Sequence, residues 1–276
     1  MALNIQTNVA SLEAGRAVGR NQKALMGSFN KLASGFRVNT AADDAAGLAI
    51  SESMKSQIRS YTVAERNAAD GISMAQTAEG ALGEVHEVLG RMRELAMQAS
   101  NGSLGEADRD YVNKEFTKLG SEIERIQQST KFNNKELIAA TVTDDITFQV
   151  GLNNETFDKI NVSFNNLDLA NVIAAGVDGA DTVNALASLA TIDTAIASVS
   201  DKRAEFGASI NKLEVATNNI QTMRLNISSA NSRIRDVDVA SESANMARNQ
   251  VLSQASVSVL AQANQLPQLA FGLIGR

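Results

Sequence analysis

Apolar residues recur every seventh position in two separate stretches of the chain. Ala75, Leu82, Leu89 and Ala96 form one row, and Ala78, Val85, Met92 and Ala99 follow it three positions later. Leu213, Ile220, Ile227 and Ile234 form the second, accompanied by Ala216, Met223, Ala230 and Val237. None of these positions is polar, and a pattern held through that many heptads predicts long, coiled-coil-like helices. The second, taken from about Thr191 to Val239, would be about 70 Å long at roughly 1.5 Å per residue, which suits a rod. A third helix is expected from Ala107 to Ser129, where Tyr111, Phe116, Leu119, Ile123 and Ile126 supply an apolar stripe. The Asn101-Gly102-Ser103 turn sets it off from the first heptad helix. Asp181 to Val199 also fits a helix, running into the second heptad segment.

Between these helices the period changes to two. Ile146, Phe148 and Val150 alternate with polar neighbours, as do Ile160, Val162 and Phe164, with Gly151 and the Asn153-Asn154 pair between them. That predicts a β-hairpin within about residues 141–170, the one β element expected. The fold class is therefore mainly α: an elongated, coiled-coil-like helical rod with a small central β-hairpin region.

The two ends of the sequence are unlike the rest. No residue from Met1 to Leu12 is charged, nor any from Val251 to Gly275. An uncharged run of that length invites a membrane-spanning reading. Ser253, Gln254, Ser256, Ser258, Gln262, Asn264, Gln265, Pro267 and Gln268 interrupt it too often, so membrane insertion is not expected. Helices that are polar but uncharged suit burial against other helices, where amides and hydroxyls can pair. Leu252, Val259 and Leu266 are spaced by seven, and so are Val18, Leu25 and Leu32. One molecule offers few partners for both ends, which points to a homo-polymer. The ends, about 1–39 and 240–276, are expected to be mobile in the monomer and helical in the polymer.

Composition narrows the function. The protein has 276 residues and is 44% apolar, with one proline, one histidine and no cysteine or tryptophan. A lone proline fits few turns and long elements. The net charge of −6 without a basic cluster excludes a nucleic-acid surface. The first residues lack the basic and apolar regions of a cleaved signal peptide, so export by another route is expected.

No catalytic, cofactor or metal site is predicted. His86-Glu87 begins like a zinc-protease motif, but His86 is the only histidine, so a two-histidine site cannot form; a solvated position beside the seam is expected instead. Asp43 and Asp44 precede an alanine-rich segment and are expected to cap its start. Gly80, Gly83 and Gly90 lack the lysine of a phosphate-binding loop and are assigned to close helix approach. Asn101, Asn154, Asn161 and Asn226 begin nominal glycosylation sequons, taken as chance occurrences.

Specific stretches resemble bacterial flagellin. They are Ala2 to Asn8, Leu32 to Asn39, Asp43 to Ile50, Arg66 to Ser73, Ala78 to Leu82, Phe148 to Gly151, Arg233 to Asp238 and Gln262 to Gln268. The resemblance implies that the N- and C-terminal helices pair in an inner helical domain of residues 1–42 with 240–276, and that residues 43–239 form an outer helical domain without the large outer insertions of longer flagellins. It implies a structural subunit of the extracellular flagellar filament, forming a tube that transmits motor torque. Flagellar export chaperone and cap proteins are the expected helpers. Ile5, Leu12, Leu252, Val259, Leu266, Leu269 and Phe271 are the expected polymerisation core. The resemblance also implies a patch for the vertebrate Toll-like receptor for flagellin at Arg91, Leu95 and Glu115. Leu95 lies off the heptad rows and is expected to face outward, and Arg91 to pair with Glu87 if it only stabilises its own helix. Competing readings are a hook-filament junction protein of the same superfamily and a coiled-coil signalling or adhesion module.

Overall fold

The computed structural model describes residues 7–139, 145–164, 167–178 and 183–274, with residues 266–274 as backbone alone. Internal contacts divide the protein into two units, Met1–Ser56 with Asn226–Arg276, and Gln57–Leu225.

In order, the elements are α1 (Val9–Ser34), α2 (Ala45–Ala99), α3 (Glu106–Ser129), β1 (Lys131–Phe132), β2 (Lys135–Glu136), β3 (Asp145–Gln149), β4 (Lys159–Ser163), α4 (Ala170–Ile173), α5 (Val183–Arg235) and α6 (Val239–Ile274). Helix ends fall where side chains satisfy free backbone groups. Asn8 accepts from the Ser11 amide at 3.1 Å and starts α1, which stops at Gly35 in the left-handed region at φ 74°. Asp44 accepts from the Gly47 amide at 2.9 Å at the start of α2. Asp43 instead closes the preceding turn, accepting from Thr40 N–H and Oγ–H at 2.9 Å each. Those bonds hold the Asp43 carboxyl below its ordinary pKa. Asp238 accepts from the amides of Ala240 and Ser241 at the start of α6.

The core of the 57–225 unit is built from α2, α3, α5 and the hairpin. All eight residues of the first heptad pair of rows are buried in it. Each large buried aliphatic side chain is worth roughly 1.5–3 kcal/mol, so Leu82, Val85, Leu89 and Met92 contribute substantially to the unit's stability. Along its flank, α2 and α5 run antiparallel, stitched by Arg93–Asp193 (2.6 Å), Glu79–Arg203 (2.7 Å) and Glu65–Arg224 (2.8 Å). The second heptad is covered unevenly. Leu213 and Ile220 are buried, the positions from Ile227 onward are half-covered, and Met223 is exposed.

The hairpin forms where the alternation places it, with Ile146 opposite Val162 and Phe148 opposite Ile160. It lies on α2 and α5 through Gly71, where an added Cβ would come 3.1 Å from both Phe148 and Leu213. It is not the only β element, because β1 and β2 form a second antiparallel pair. Asn133 and Asn134, at φ 47° and 67°, make the tight turn between them. The stripe of α3 is as expected at Phe116 and Ile123, but Tyr111 is 69% exposed.

Candidate assembly and recognition surfaces

In the terminal unit, α1 and α6 pair along a narrow seam. Asn8 Nδ2 donates to the Ala263 carbonyl (2.8 Å), Ser11 Oγ to Asn264 Oδ1 (2.6 Å) and Asn21 Nδ2 to Ser256 Oγ (2.6 Å). Among the described residues of the two helices only Ala14, Ser28 and Ala263 are buried. Val18, Leu25 and Leu32 are half-covered along α1. In this single copy both ends are helical, over Val9–Ser34 and Val239–Ile274.

The seam is mixed, with Ala14, Val18, Leu25, Leu32, Leu260 and Ala263 beside the hydrogen-bonded polar groups, and large apolar side chains also stand on the outer faces of the pair. Leu12 is 61% exposed, Leu252 45% and Val259 55%, alongside Val9, Met26, Phe29, Val251 and Val257. Leu252 and Val259 thus form an outward row, and the inward one runs through Ser253, Ser256 and Leu260. Of the other expected core residues, Ile5 and the side chains of Leu266, Leu269 and Phe271 lie outside the described residues.

The terminal unit also sutures distant parts of the sequence. Phe36 bridges Asp236, and the Arg37 guanidinium donates to the carbonyls of Arg233 (3.2 Å) and Ile234 (2.7 Å), closing the end of α5. Arg235 stacks on the Phe36 ring at 4.5 Å.

In the other unit, Arg91 and Glu115 come together from α2 and α3 as an exposed pair. The guanidinium donates through both Nε (3.1 Å) and a terminal nitrogen (2.8 Å) to one Glu115 oxygen, and also to Glu94 at 2.8 Å. These bonds, Glu115 first, raise the Arg91 pKa. Its partners are Glu94 and Glu115, not Glu87. Leu95 does not face outward: it is 2% exposed and belongs to the core. More than one neighbour packs on α2, so its buried face is wider than the heptad rows alone.

Two further expectations are corrected. His86 is half-buried, and its Nδ1 is sealed without a hydrogen-bond partner among the described residues. An added Cβ at Gly80, Gly83 or Gly90 would meet nothing within 4 Å, so these glycines serve no close approach inside the molecule. Among the described residues no group of His, Cys, Asp or Glu could hold a metal ion. One window of α5 is long and apolar enough to cross a membrane, but Ile192, Ala195 and Val199 of that helix lie in the core.

Capped helices with a buried heptad seam, and a terminal pair with large apolar groups exposed on its outer faces, fit a structural, self-associating protein. Comparison with known proteins narrows this. Residues 5–143 match the bacterial flagellin N-terminal helical region, and residues 189–274 the C-terminal helical region. The flagellin of Halalkalibacterium halodurans is 44% identical over 270 residues, spanning 98% of this sequence and 99% of that protein. The Bacillus subtilis flagellin is 39% identical, spanning 99% and 100%. A flagellar filament core protein of Treponema maltophilum is 35% identical, spanning 98% and 99%. Among solved structures, Bacillus cereus flagellin superposes with a TM-score of 0.50 at 30% identity, spanning 60% of this protein and 94% of that one. A putative hook-associated protein of Vibrio parahaemolyticus shares the fold, with a TM-score of 0.61 at 18% identity, spanning 70% of this protein and 100% of that one. The protein belongs to the bacterial flagellin family. It is a structural subunit of the flagellar filament, a self-assembling extracellular polymer, and its family is structural and not enzymatic.

Proposed function

We propose that the filament is held together by the outward apolar faces of α1 and α6, with Leu12, Leu252 and Val259 packing against the same faces of neighbouring copies. Ile5, Leu266, Leu269 and Phe271 extend that core in the same reading. The observation that carries it is the large apolar surface the pair leaves outside its hydrogen-bonded seam, with Leu12, Leu252 and Val259 exposed. Contiguous exposed apolar surface is costly in a monomer and is removed from water when identical copies associate. On this reading residues 1–42 with 240–276 form the inner layer and residues 43–239 the outer one. The subunit reaches the outside without a cleaved signal peptide, is handled by export chaperone and cap proteins, inserts in no membrane, and carries out no catalysis.

Leu252→Asp and Val259→Asp test the core. Both sites are exposed, so thermal unfolding of the monomer should stay unchanged while electron microscopy after seeding finds no filaments. Normal filaments from the double variant would overturn the assignment.

Arg91 and Glu115 form the proposed contact for the Toll-like receptor, and Leu95, buried in the core, makes no contact with it. Arg91→Ala in the monomer should weaken receptor activation several-fold without changing its unfolding temperature. An unaltered response would remove Arg91 from the patch and leave the filament core untouched.

A further inference from the structure

We propose that Asn101 is a self-modifying site, converting through a succinimide to isoaspartate and aspartate. Asn101-Gly102 is the only Asn-Gly pair in the sequence. It sits in the short connection between α2 and α3, with both residues exposed to water. The Ser103 amide donates to Asn101 Oδ1 at 3.1 Å, folding the Asn101 side group back along the backbone. The ring closed by that hydrogen bond contains both the Asn101 Cγ and the Gly102 nitrogen. The hydrogen bond thus restricts the torsions that set the separation of the electrophilic Cγ from the nucleophilic nitrogen.

The same hydrogen bond has a second effect. As the Gly102 nitrogen bonds to Cγ, negative charge grows on Oδ1, where the Ser103 N–H is already aimed. Gly102 has no side group to hinder the approach, and a Cβ there would meet nothing within 4 Å, so the neighbourhood leaves room for ring closure.

The step balances with water alone. Base takes the Gly102 amide proton, the nitrogen attacks Cγ, and the Cγ–Nδ2 bond of Asn101 breaks to release ammonia. Water then adds to either imide carbonyl and cleaves its bond to the imide nitrogen, leaving a carboxylate. Opening on one side gives aspartate; opening on the other moves the Asn101 methylene into the backbone and gives isoaspartate.

Either product adds one negative charge just beyond the C-terminus of α2, where the helix dipole disfavours it. Isoaspartate also lengthens the backbone that makes the Leu104 amide to Asn101 carbonyl bond (3.3 Å). The α2–α3 junction therefore loosens as the protein ages.

The test holds the purified full-length protein at mildly alkaline pH and maps its peptides over days with fragmentation that separates isoaspartate from aspartate. Asn101 should convert several-fold faster than Asn154, which is also exposed but precedes Glu155. Isoaspartate should predominate, and heavy-oxygen water should label the new carboxylate. Gly102→Ala, which the open space lets fold normally, should slow conversion several-fold, with its fold checked by circular dichroism. The proposal is overturned if Asn101 converts no faster than Asn154, if Gly102→Ala changes nothing, or if aspartate forms without isoaspartate. Conversion seen only in urea-unfolded protein would overturn it as well, because the folded turn would then protect the site.

Discussion

Leu95→Ala truncates a residue that is 2% exposed in the core of the 57–225 unit, although its place in the sequence suggests a surface role. Losing a buried leucine to alanine removes its transfer free energy and leaves a cavity, together about 2–5 kcal/mol. Leu95 flanks the central rows, so neighbouring groups can collapse partly into the gap, and about 3 kcal/mol is the working figure. For a unit of this size each kcal/mol moves Tm by roughly 2–4 °C, so a fall of about 6–12 °C is expected. Thermal unfolding followed by circular dichroism would read it directly. Arg91→Ala, on an exposed pair, provides the control and should leave Tm in place. If Leu95→Ala leaves Tm unchanged while abolishing receptor activation, the burial argument is refuted and Leu95 is a contact residue.

The glycines of α2 should respond in opposite directions. Gly71→Ala forces a Cβ to 3.1 Å from Phe148 and Leu213 and should destabilise the unit by roughly 1–3 kcal/mol, whereas Gly80→Ala meets open space and should stabilise it by up to about 1 kcal/mol in denaturant titrations. The Arg93 guanidinium holds the Asp193 carboxyl below its usual range. A lowered folded pKa means stability that is present above the unfolded pKa and lost as pH falls through the folded one. Acid unfolding of Asp193→Asn should therefore lack that contribution on the acid side of the ordinary carboxylate range, and identical acid profiles would count against the pair. Amide exchange should show α1 and α6 opening far more readily than α2 in the monomer, because few apolar groups are buried between them, and becoming protected in filaments. Equal protection in monomer and filament would contradict this.

The long helices and the hairpin are legible because periods of seven and two are direct records of which face is covered. The central row from Ala75 to Ala99 is buried throughout, and Ile146 meets Val162 as the alternation suggests. Leu95 escapes such a reading because a heptad marks one seam, while α2 is packed by more than one neighbour. β1 and β2 are two residues each, too short for any period, and only the Asn133-Asn134 pair could signal their turn. The terminal helices carry a subtler ambiguity. Their spacing announces partners without saying whether serine and asparagine or leucine and valine face inward, and the structure places much of the polar set there. The Arg91–Glu115 pair joins residues on two different helices, a relation that spacing within one helix cannot encode.

The contact between Asn8 and Ala263 joins residues separated by 255 positions, so α1 and its mate stand at opposite ends of synthesis order. Roughly two hundred residues separate the end of α1 from the start of α6, and at roughly 5–20 residues per second a ribosome needs about 10–40 seconds to cross that gap. Throughout that interval the first helix emerges with Val9, Leu12, Met26 and Phe29 uncovered and its side of the seam unanswered. The α2–α5 seam can close before translation ends; the terminal pair cannot. It can form only once the final segment has been synthesised.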